Sequence, residues 1–317
     1  MKYLLVACWL TLTACVFAAE PTAEVCVIVG APGEADYAAG FGRAALAWEQ
    51  AAKRGGAAYT VIGLAEDNKS PDREQLETWL NERNAVGPTT AWIVFLGHGT
   101  FDGREARLNL RGADVTAQEL SGWLGKLKRP IVFVHGGSAA APFIPALSGP
   151  GRIIISATRT GNEINYARFG ERFATAIGDP AADVDHDGQT SVLEAFVTAA
   201  QQVQSFYAES GRLATEHALI DDNGDKQGTP AEWFRGTRLQ KRAKDKAEPD
   251  GATAKLVALI TTDAERAMTP PQRAERDRLE QELEALRARK GEIAEDEYYR
   301  RLEAIARQIG AIYSRGT

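Results

Sequence analysis

The chain has 317 residues, of which 44% are hydrophobic and 25% are charged. This composition is typical of a soluble globular protein that buries a sizeable core, in one large domain or two ordinary ones. Lysine and arginine number 37 against 43 aspartates and glutamates, and this net charge of −6 argues against a nucleic-acid-binding protein. Three cysteines exclude a disulfide-stapled scaffold, and four histidines leave few candidates for acid–base chemistry.

The first 19 residues have the pattern of an export signal. Lys2 is followed by an apolar run and then by small residues, and the run is too short to span a bilayer comfortably. Cleavage after Ala18 fits this pattern and defines residues 1–18 as a predicted signal peptide. Residues 12–15 also fit a bacterial lipobox, in which a lipidated Cys15 would bind the protein to a membrane. Either route predicts an exported protein, periplasmic or extracellular, with no cysteine pair for an intramolecular disulfide.

Five short apolar runs, rich in β-branched residues, predict the strands of one sheet. They cover residues 25–30, 58–63, 91–97, 130–135 and 152–157. Such near-continuous runs are typical of strands that are buried on both faces. Between them, apolar residues such as Phe41, Ala45 and Trp48 recur at helical spacing. This alternation predicts an α/β three-layer sandwich with a mainly parallel sheet, whose chemistry would lie beyond the carboxyl ends of the strands.

The last part of the chain predicts a helical hairpin. Residues 245–252 form a polar break that contains proline and glycine, and charged residues dominate from residue 270 onward. Two sets of apolar residues each line one helix face: Leu279, Leu283 and Leu286, then Tyr298, Leu302, Ile305, Ile309 and Ile312. Gly291 separates them, which predicts antiparallel helices with coiled-coil-like packing. We therefore expect a main domain over residues 22–245 and a hairpin over 253–317, with a structural role or a surface for a partner or an oligomer.

Two polar residues follow the third and fourth predicted strands. His98 lies between Gly97 and Gly99, which let the backbone turn sharply, and an imidazole is suited to proton transfer near neutral pH. Ser138 follows the fourth strand, so it would approach His98 if these strands are neighbours. A serine–histidine pair is the minimum for nucleophilic catalysis. A single histidine at a strand end is also common for structural reasons, so both interpretations stay open.

With these strands and both polar sites in this order, residues 24–208 resemble the caspase/legumain superfamily of cysteine peptidases. The family has a catalytic His-Gly pair after the third strand and a catalytic cysteine after the fourth. His98 matches the histidine and Ser138 the cysteine, and Glu163 and Tyr166 after the fifth strand look legumain-like. The resemblance implies a caspase-like topology with sheet order 2-1-3-4-5.

The sequence departs from the family pattern at the nucleophile. Serine needs a strong base partner, whereas a cysteine thiol is partly ionised even without help. The usual Ser-Gly after the nucleophile is Ala140-Ala141, and the usual acidic residue before it is Gly136. The sequence therefore predicts a binding or scaffold module for a peptide or protein ligand, with impaired or absent proteolysis. The alternative is a hydrolase in which His98 activates Ser138, and the Gly99 and Ser138 amides form the oxyanion hole.

Residues 183–194 fit the twelve-residue EF-hand loop, which binds Ca²⁺ through oxygen ligands. Gly188 supplies the turn at position six. The predicted ligands, at positions one, three, five, seven, nine and twelve, are Asp183, Asp185, Asp187, the Gln189 carbonyl, Ser191 and Glu194. Glu194 would bind in a bidentate manner, while Thr190 replaces the usual aliphatic residue. The alternative is an acidic turn that caps a helix.

A second acidic segment follows at residues 221–232. Asp221, Asn223, Asp225 and Glu232 occupy positions one, three, five and twelve of the same pattern, but Lys226 replaces the glycine. We interpret this segment as a solvated polar turn.

Overall fold

A computed structural model describes residues 21–65, 70–84, 87–241 and 250–314. The predicted signal peptide and the lipobox with Cys15 lie outside these residues, and so do residues 245–249 of the predicted break. Within the described ranges, no helix is both long and apolar enough to cross a membrane.

One large sheet organises the chain. Its strands are β1 (Ala23–Val29), β2 (Ala58–Ile62), β3 (Thr90–Leu96), β7 (Ile131–His135), β8 (Arg152–Ser156), β9 (Leu219–Asp221) and β10 (Thr229–Pro230). A second, smaller sheet consists of β4 (Gly99–Phe101), β5 (Ala106–Leu108) and β6 (Val115–Thr116). A third consists of β11 (Phe234–Arg235) and β12 (Arg238–Leu239). The order in the large sheet is β10-β9-β8-β7-β3-β1-β2. Strands β2, β1, β3, β7 and β8 are mutually parallel, which confirms the predicted order 2-1-3-4-5.

Helices cover both faces of this sheet. The helices on the sheet are α1 (Ala35–Gly55), α2 (Asp72–Asn81), α3 (Ala117–Leu124), α4 (Phe143–Leu147), α5 (Phe169–Ala176) and α6 (Val192–Glu209). Three more helices follow in the chain, α7 (Asp263–Ala267), α8 (Pro270–Ala288) and α9 (Glu295–Tyr313). Alternate β1 side chains enter opposite cores: Val25 and Val27 pack with α1, α5 and α6, whereas Cys26 and Ile28 pack with α2, α3 and α4. The result is the predicted three-layer sandwich, because a strand's side chains alternate between its two faces.

The pairing beyond β8 was not predicted. Strands β9 and β10 extend the sheet in the antiparallel direction, and each is only two or three residues long. Strands β4 to β6 form a separate antiparallel meander directly after His98. These short pairings have little hydrophobic periodicity, so the sequence pattern does not predict them.

The C-terminal helices α8 and α9 form the predicted hairpin with a core of their own. Leu279, Leu283, Leu286, Tyr298 and Ile305 are buried in it. The chain that leads to α8 packs on the main domain: the amides of Val192 and Leu193 donate to the carbonyls of Val257 (2.7 Å) and Ala254 (3.1 Å). Arg276 of α8 forms a buried ion pair with Glu265 of α7, the short helix before the hairpin. The hairpin is therefore joined to the start of α6, where the predicted calcium loop ends.

Candidate active site and candidate calcium loop

His98 and Ser138 lie at the same edge of the sheet. Strands β3 and β7 are parallel neighbours, with Phe95 paired to His135, so the loops that follow them leave the sheet side by side. The Gly136 amide still donates to the Phe95 carbonyl at 2.9 Å, which extends the ladder by one residue. The fold thus brings together the two segments that the sequence singled out.

The two loops touch through their backbones. A Cβ atom on Gly137 would lie 1.8 Å from the Gly97 carbonyl oxygen, and one on Gly99 would lie 2.4 Å from the Ser138 carbonyl oxygen. Real Cβ contacts are never so short, so both positions require glycine. The glycines around His98 and Ser138 therefore serve this close packing.

The Ser138 hydroxyl is buried and bonded to the opposite loop. Ser138 is 2% exposed. Its Oγ donates to the Gly99 carbonyl at 3.2 Å and accepts from the Gly99 amide at 3.3 Å. The next residue, Ala139, has φ +51° and donates its amide to the Glu163 carbonyl at 2.9 Å. Thr158 Oγ1 accepts from the amides of Ala140 (2.8 Å) and Ala141 (3.2 Å), so the segment after β8 fixes the serine loop.

The His98 ring is held by other groups. Its Nε2 lies 3.2 Å from the Pro32 carbonyl oxygen. A carbonyl oxygen can only accept, so this nitrogen carries the proton. Aromatic rings surround the imidazole: Tyr37 at 5.1 Å, Phe41 at 5.6 Å and Tyr166 at 6.1 Å between centroids. Tyr166 also stacks on Tyr37 at 4.5 Å, so aromatic side chains occupy the space beside His98.

These contacts separate the two predicted catalytic groups. The hydrogen bonds of Ser138 Oγ go to Gly99 and that of the His98 ring goes to Pro32, and none joins the two side chains. The Gly99 amide, predicted as an oxyanion-hole donor, is directed to the Ser138 hydroxyl. Among the described residues, no basic side chain forms a hydrogen bond with the Ser138 hydroxyl in this conformation.

His135, the last residue of β7, is fully buried beside this site. Its ring packs edge-on against Phe143 (4.8 Å) and Phe95 (5.0 Å). Nδ1 accepts from the Gly137 amide at 3.2 Å, and Nε2 has no hydrogen-bond partner among the described residues. Burial lowers the pKa of His135 from 6.5 to about 3, so the ring is neutral at physiological pH. It therefore acts as an aromatic core residue with one backbone contact.

In the candidate calcium loop, three carboxylates meet at one point. One oxygen from each of Asp183, Asp185 and Asp187 lies within 4.8 Å of the others. The Asp183 carboxylate accepts from the amides of Asp187 (3.2 Å) and Gly188 (2.9 Å), and Gly188 has φ +91°, which favours glycine. Burial, and then the neighbouring carboxylates, raise the pKa of Asp187 to about 6. The loop is thus folded around a concentration of negative charge.

Two further predicted ligands cap α6. The Ser191 hydroxyl accepts from the Glu194 amide (3.2 Å), and Glu194 Oε2 accepts from the Ser191 amide (2.9 Å), a capping box. Glu194 Oε1 accepts from the amides of Val184 (2.8 Å) and Asp185 (3.0 Å). Glu194 is 2% exposed, so a buried carboxylate joins the two ends of the loop.

The donor set fits a hard divalent cation. Oxygen ligands from carboxylates, an amide carbonyl and a hydroxyl are the set that Ca²⁺ prefers. The side-chain Oε1 of Gln189 is buried and has no hydrogen-bond partner among the described residues. Three of the four predicted carboxylates lie together, whereas both oxygens of Glu194 accept hydrogen bonds from loop amides and from Ser191.

The second acidic segment repeats the hydrogen bonds of the first. Asp221 accepts from the Lys226 amide (3.1 Å) as Asp183 does from the Gly188 amide. Lys226, at the glycine position, has φ +70°. The Asp250 carboxylate accepts from the amides of Asp222 (2.9 Å) and Asn223 (3.3 Å), the role that Glu194 plays in the first loop.

The expectation of a solvated turn holds for Asn223, Asp225 and Lys226, which are exposed, but not for the aspartates that begin the segment. Asp221, Asp222 and Asp250 are 0%, 7% and 5% exposed. Burial raises the pKa of Asp250 to about 7. Glu232, placed at position twelve by the sequence pattern, instead forms an ion pair with Arg159 at 3.5 Å. Sequence spacing could not identify Asp250, because it lies outside the twelve-residue window.

Comparisons with known proteins bear on the fold. No protein-family model matches the sequence, and no curated protein matches it. The structure is similar to the Drosophila initiator caspase Dronc, with 14% sequence identity and a TM-score of 0.40, over 65% of this chain and 81% of that one. It is also similar to caspase-1 from Spodoptera frugiperda, with 11% identity and a TM-score of 0.40, over 63% of this chain and 86% of that one. The strand pairing itself shows the mixed α/β fold around a mainly parallel sheet, and caspases are among the solved structures that are similar to this chain.

Proposed function

We propose that this protein is an exported, calcium-stabilised binding or scaffold module on a peptidase-like fold, with no working nucleophile at Ser138. The observation that carries this proposal is the pairing at the sheet edge. The Ser138 hydroxyl is bonded to Gly99, and the His98 ring is bonded to Pro32. The two residues therefore lie at one edge of the sheet, but each side chain forms its hydrogen bonds with backbone groups of other residues.

Serine chemistry makes this arrangement unfavourable for catalysis. A serine hydroxyl is a weak nucleophile until a base accepts its proton, within about 2.6–3.2 Å. In an active serine–histidine pair, a third group orients the base toward the nucleophile. Here the Pro32 carbonyl orients His98 and leaves Nδ1 as the unprotonated ring nitrogen, but no hydrogen bond joins this ring to the Ser138 hydroxyl, which is bonded to Gly99. The burial of Ser138 also keeps a substrate carbonyl away from its Oγ.

The alternative is a hydrolase, and one observation favours it. The loops that carry His98 and Ser138 are in direct backbone contact, so a rotation of the His98 side chain is a smaller change than a change of fold. In that case Ser138 would attack a peptide carbonyl and His98 would take the hydroxyl proton. The Gly99 and Ser138 amides would then stabilise the oxyanion.

Cleavage of a diverse peptide mixture, followed by mass spectrometry, decides between these functions. We expect the wild-type protein to produce no cleavage above a buffer blank. The variants Ser138→Ala and His98→Ala should behave identically to it, and Ser205→Ala, at an exposed serine of α6, is the matched control. Cleavage that is lost in both site variants and retained in Ser205→Ala would establish the hydrolase instead.

We propose that the loop over residues 183–194 binds Ca²⁺. Asp183, Asp185, Asp187 and Glu194 would supply carboxylate oxygens, with the Gln189 carbonyl and the Ser191 hydroxyl, directly or through water. The ion would neutralise carboxylates that repel each other in the empty loop. Since the loop ends at the start of α6, whose Phe196 and Val203 lie in the main core, binding should stabilise the whole domain.

Calorimetry and thermal unfolding test the calcium proposal. Calcium at ten times its dissociation constant should stabilise the protein by about 1.4 kcal/mol through mass action, and a chelator should reverse this. Asp187→Asn and Glu194→Gln should lose the effect, whereas Glu303→Gln on the exposed face of α9 should keep it. Titration without binding at millimolar calcium, or a melting temperature that ignores both calcium and chelator, would refute the proposal.

Export is the third part of the proposal. The mass of the mature protein from its native host should show cleavage after Ala18, or an acylated Cys15 at the new N-terminus. An intact N-terminus that begins at Met1 would contradict it. We further propose that the exported module binds a peptide or protein ligand, and that the helices α8 and α9 provide a surface for a partner or an oligomer.

A further inference from the structure

One lysine lies between the candidate calcium loop and the C-terminal hairpin. The Lys255 Nζ is 3.5 Å from Asp185 Oδ2 and 3.4 Å from Glu284 Oε1 of α8. Asp185 occupies position three of the loop, so it is one of the proposed calcium ligands. The Lys255 ammonium group thus neutralises part of the negative charge of the loop, which a bound calcium ion would also neutralise.

The position of this lysine is fixed by its backbone. The Lys255 amide donates to the Gly251 carbonyl at 3.1 Å, and the flanking carbonyls of Ala254 and Val257 accept from the first amides of α6. Lys255 is only partly exposed, with 21% of its side chain accessible. It therefore does not belong to the freely solvated lysines whose ion pairs contribute little.

Water can reach the contact between the loop and the hairpin. A polar cavity of about 370 Å³ opens there, lined among others by Asp185, Lys255, Glu284 and Arg287. A hydrated cation can therefore approach Asp185 without unfolding the hairpin. The same cavity leaves the lysine room to move from Asp185 toward Glu284.

We propose that Lys255 is a built-in competitor of Ca²⁺ that sets the affinity of the loop and links its occupancy to α8. This inference rests on the proposed calcium function. When calcium takes Asp185, the ammonium loses that partner, is repelled by the ion and keeps its contact with Glu284. When calcium leaves, Lys255 joins the loop to α8 through both carboxylates.

The charges of Lys255 and Glu284 predict whether removing each of them strengthens or weakens calcium binding. Removing one positive charge beside a divalent ion should tighten calcium binding by about tenfold in a hydrated site. Neutralising Glu284 should have the opposite effect, because Lys255 then depends on Asp185 alone. If the glutamate acts only through the lysine, its effect must vanish once the lysine is removed.

A double-mutant cycle measured by isothermal calorimetry in the full chain tests this proposal. We expect Lys255→Met to tighten calcium binding about tenfold, and Glu284→Gln to weaken it by about threefold in the wild-type background only. Lys255→Arg keeps the charge and should keep the wild-type affinity. Lys128→Met, an exposed lysine before β7, is the control for the change in net charge.

Different results of this cycle would refute the role of Lys255 and the binding of calcium itself. Equal calcium affinities for wild type and Lys255→Met would overturn the inference while the calcium loop stands. An effect of Glu284→Gln that persists in the Lys255→Met background would also overturn it, because Glu284 would then act through its own charge. No binding in any of these variants would refute the calcium function itself and this inference with it.

Discussion

The stability of the protein should fall in mild acid because His135 is buried as a neutral ring. Its pKa is about 3 in the folded protein and 6.5 as an ordinary histidine. Between these values the unfolded chain binds a proton that the folded chain does not. The free energy of unfolding therefore rises with pH across this window and levels off above about pH 7. This lowering of the pKa corresponds to at most roughly 5 kcal/mol.

Replacing the imidazole with a ring that cannot titrate isolates this contribution. In His135→Phe, the slope of unfolding free energy against pH between 4 and 6 should fall by up to about 1.4 kcal/mol per unit. The variant also leaves the Gly137 amide without its acceptor, which costs about 1–3 kcal/mol at every pH. Urea unfolding at several pH values separates the slope from this constant loss.

The control is a substitution at Phe133, which contacts His135 but has no titratable group. Phe133→Leu removes core volume and should lower stability equally at all pH values, with the wild-type slope. If His135→Phe and the wild type show the same slope between pH 4 and 6, then His135 is protonated in the folded state. The reasoning from its burial would be refuted.

Two further substitutions test the packing that holds the site and the hairpin. In Gly137→Ala, the added Cβ atom would lie 1.8 Å from the Gly97 carbonyl oxygen, so urea unfolding should show a loss of stability of about 3 kcal/mol or more. Gly42 lies in α1 with open space around it, so Gly42→Ala should instead stabilise the protein by up to about 1 kcal/mol. A loss below about 0.5 kcal/mol for Gly137→Ala would contradict the close packing of the two loops. Arg276→Met leaves the buried Glu265 carboxylate without its ion-pair partner, and should cost about 3–5 kcal/mol by thermal unfolding. An unchanged melting temperature would show that this pair does not hold the hairpin.

Much of the fold follows from short-range patterns. The five buried runs became the five parallel strands, because a β-branched run flanked by glycine has few other ways to bury both faces. The apolar spacing of Leu279, Leu283 and Leu286 likewise sufficed to predict α8, since their shared helix face is buried against α9. The position of His98 and Ser138 at one sheet edge followed from the parallel order.

The sequence could not predict which distant residues contact the candidate functional groups. The His98 ring bonds to the Pro32 carbonyl, 66 residues away in the chain, and no local pattern encodes that contact. Asp250 completes the second acidic loop across 28 residues from Asp222. Lys255 reaches Asp185 because residues 254–257 pack on the start of α6. Each of these contacts sets the charge or orientation of a candidate functional group, and each depends on packing rather than spacing.

Ser138, as we propose, is not an activated nucleophile, and reaction with a fluorophosphonate tests this without knowledge of a substrate. Such reagents modify serines whose proton a neighbouring base accepts. Intact-mass analysis after prolonged incubation should show unmodified protein, for the wild type and for His98→Ala alike. Stoichiometric modification of Ser138 that disappears in His98→Ala would contradict the account and establish a working serine–histidine pair.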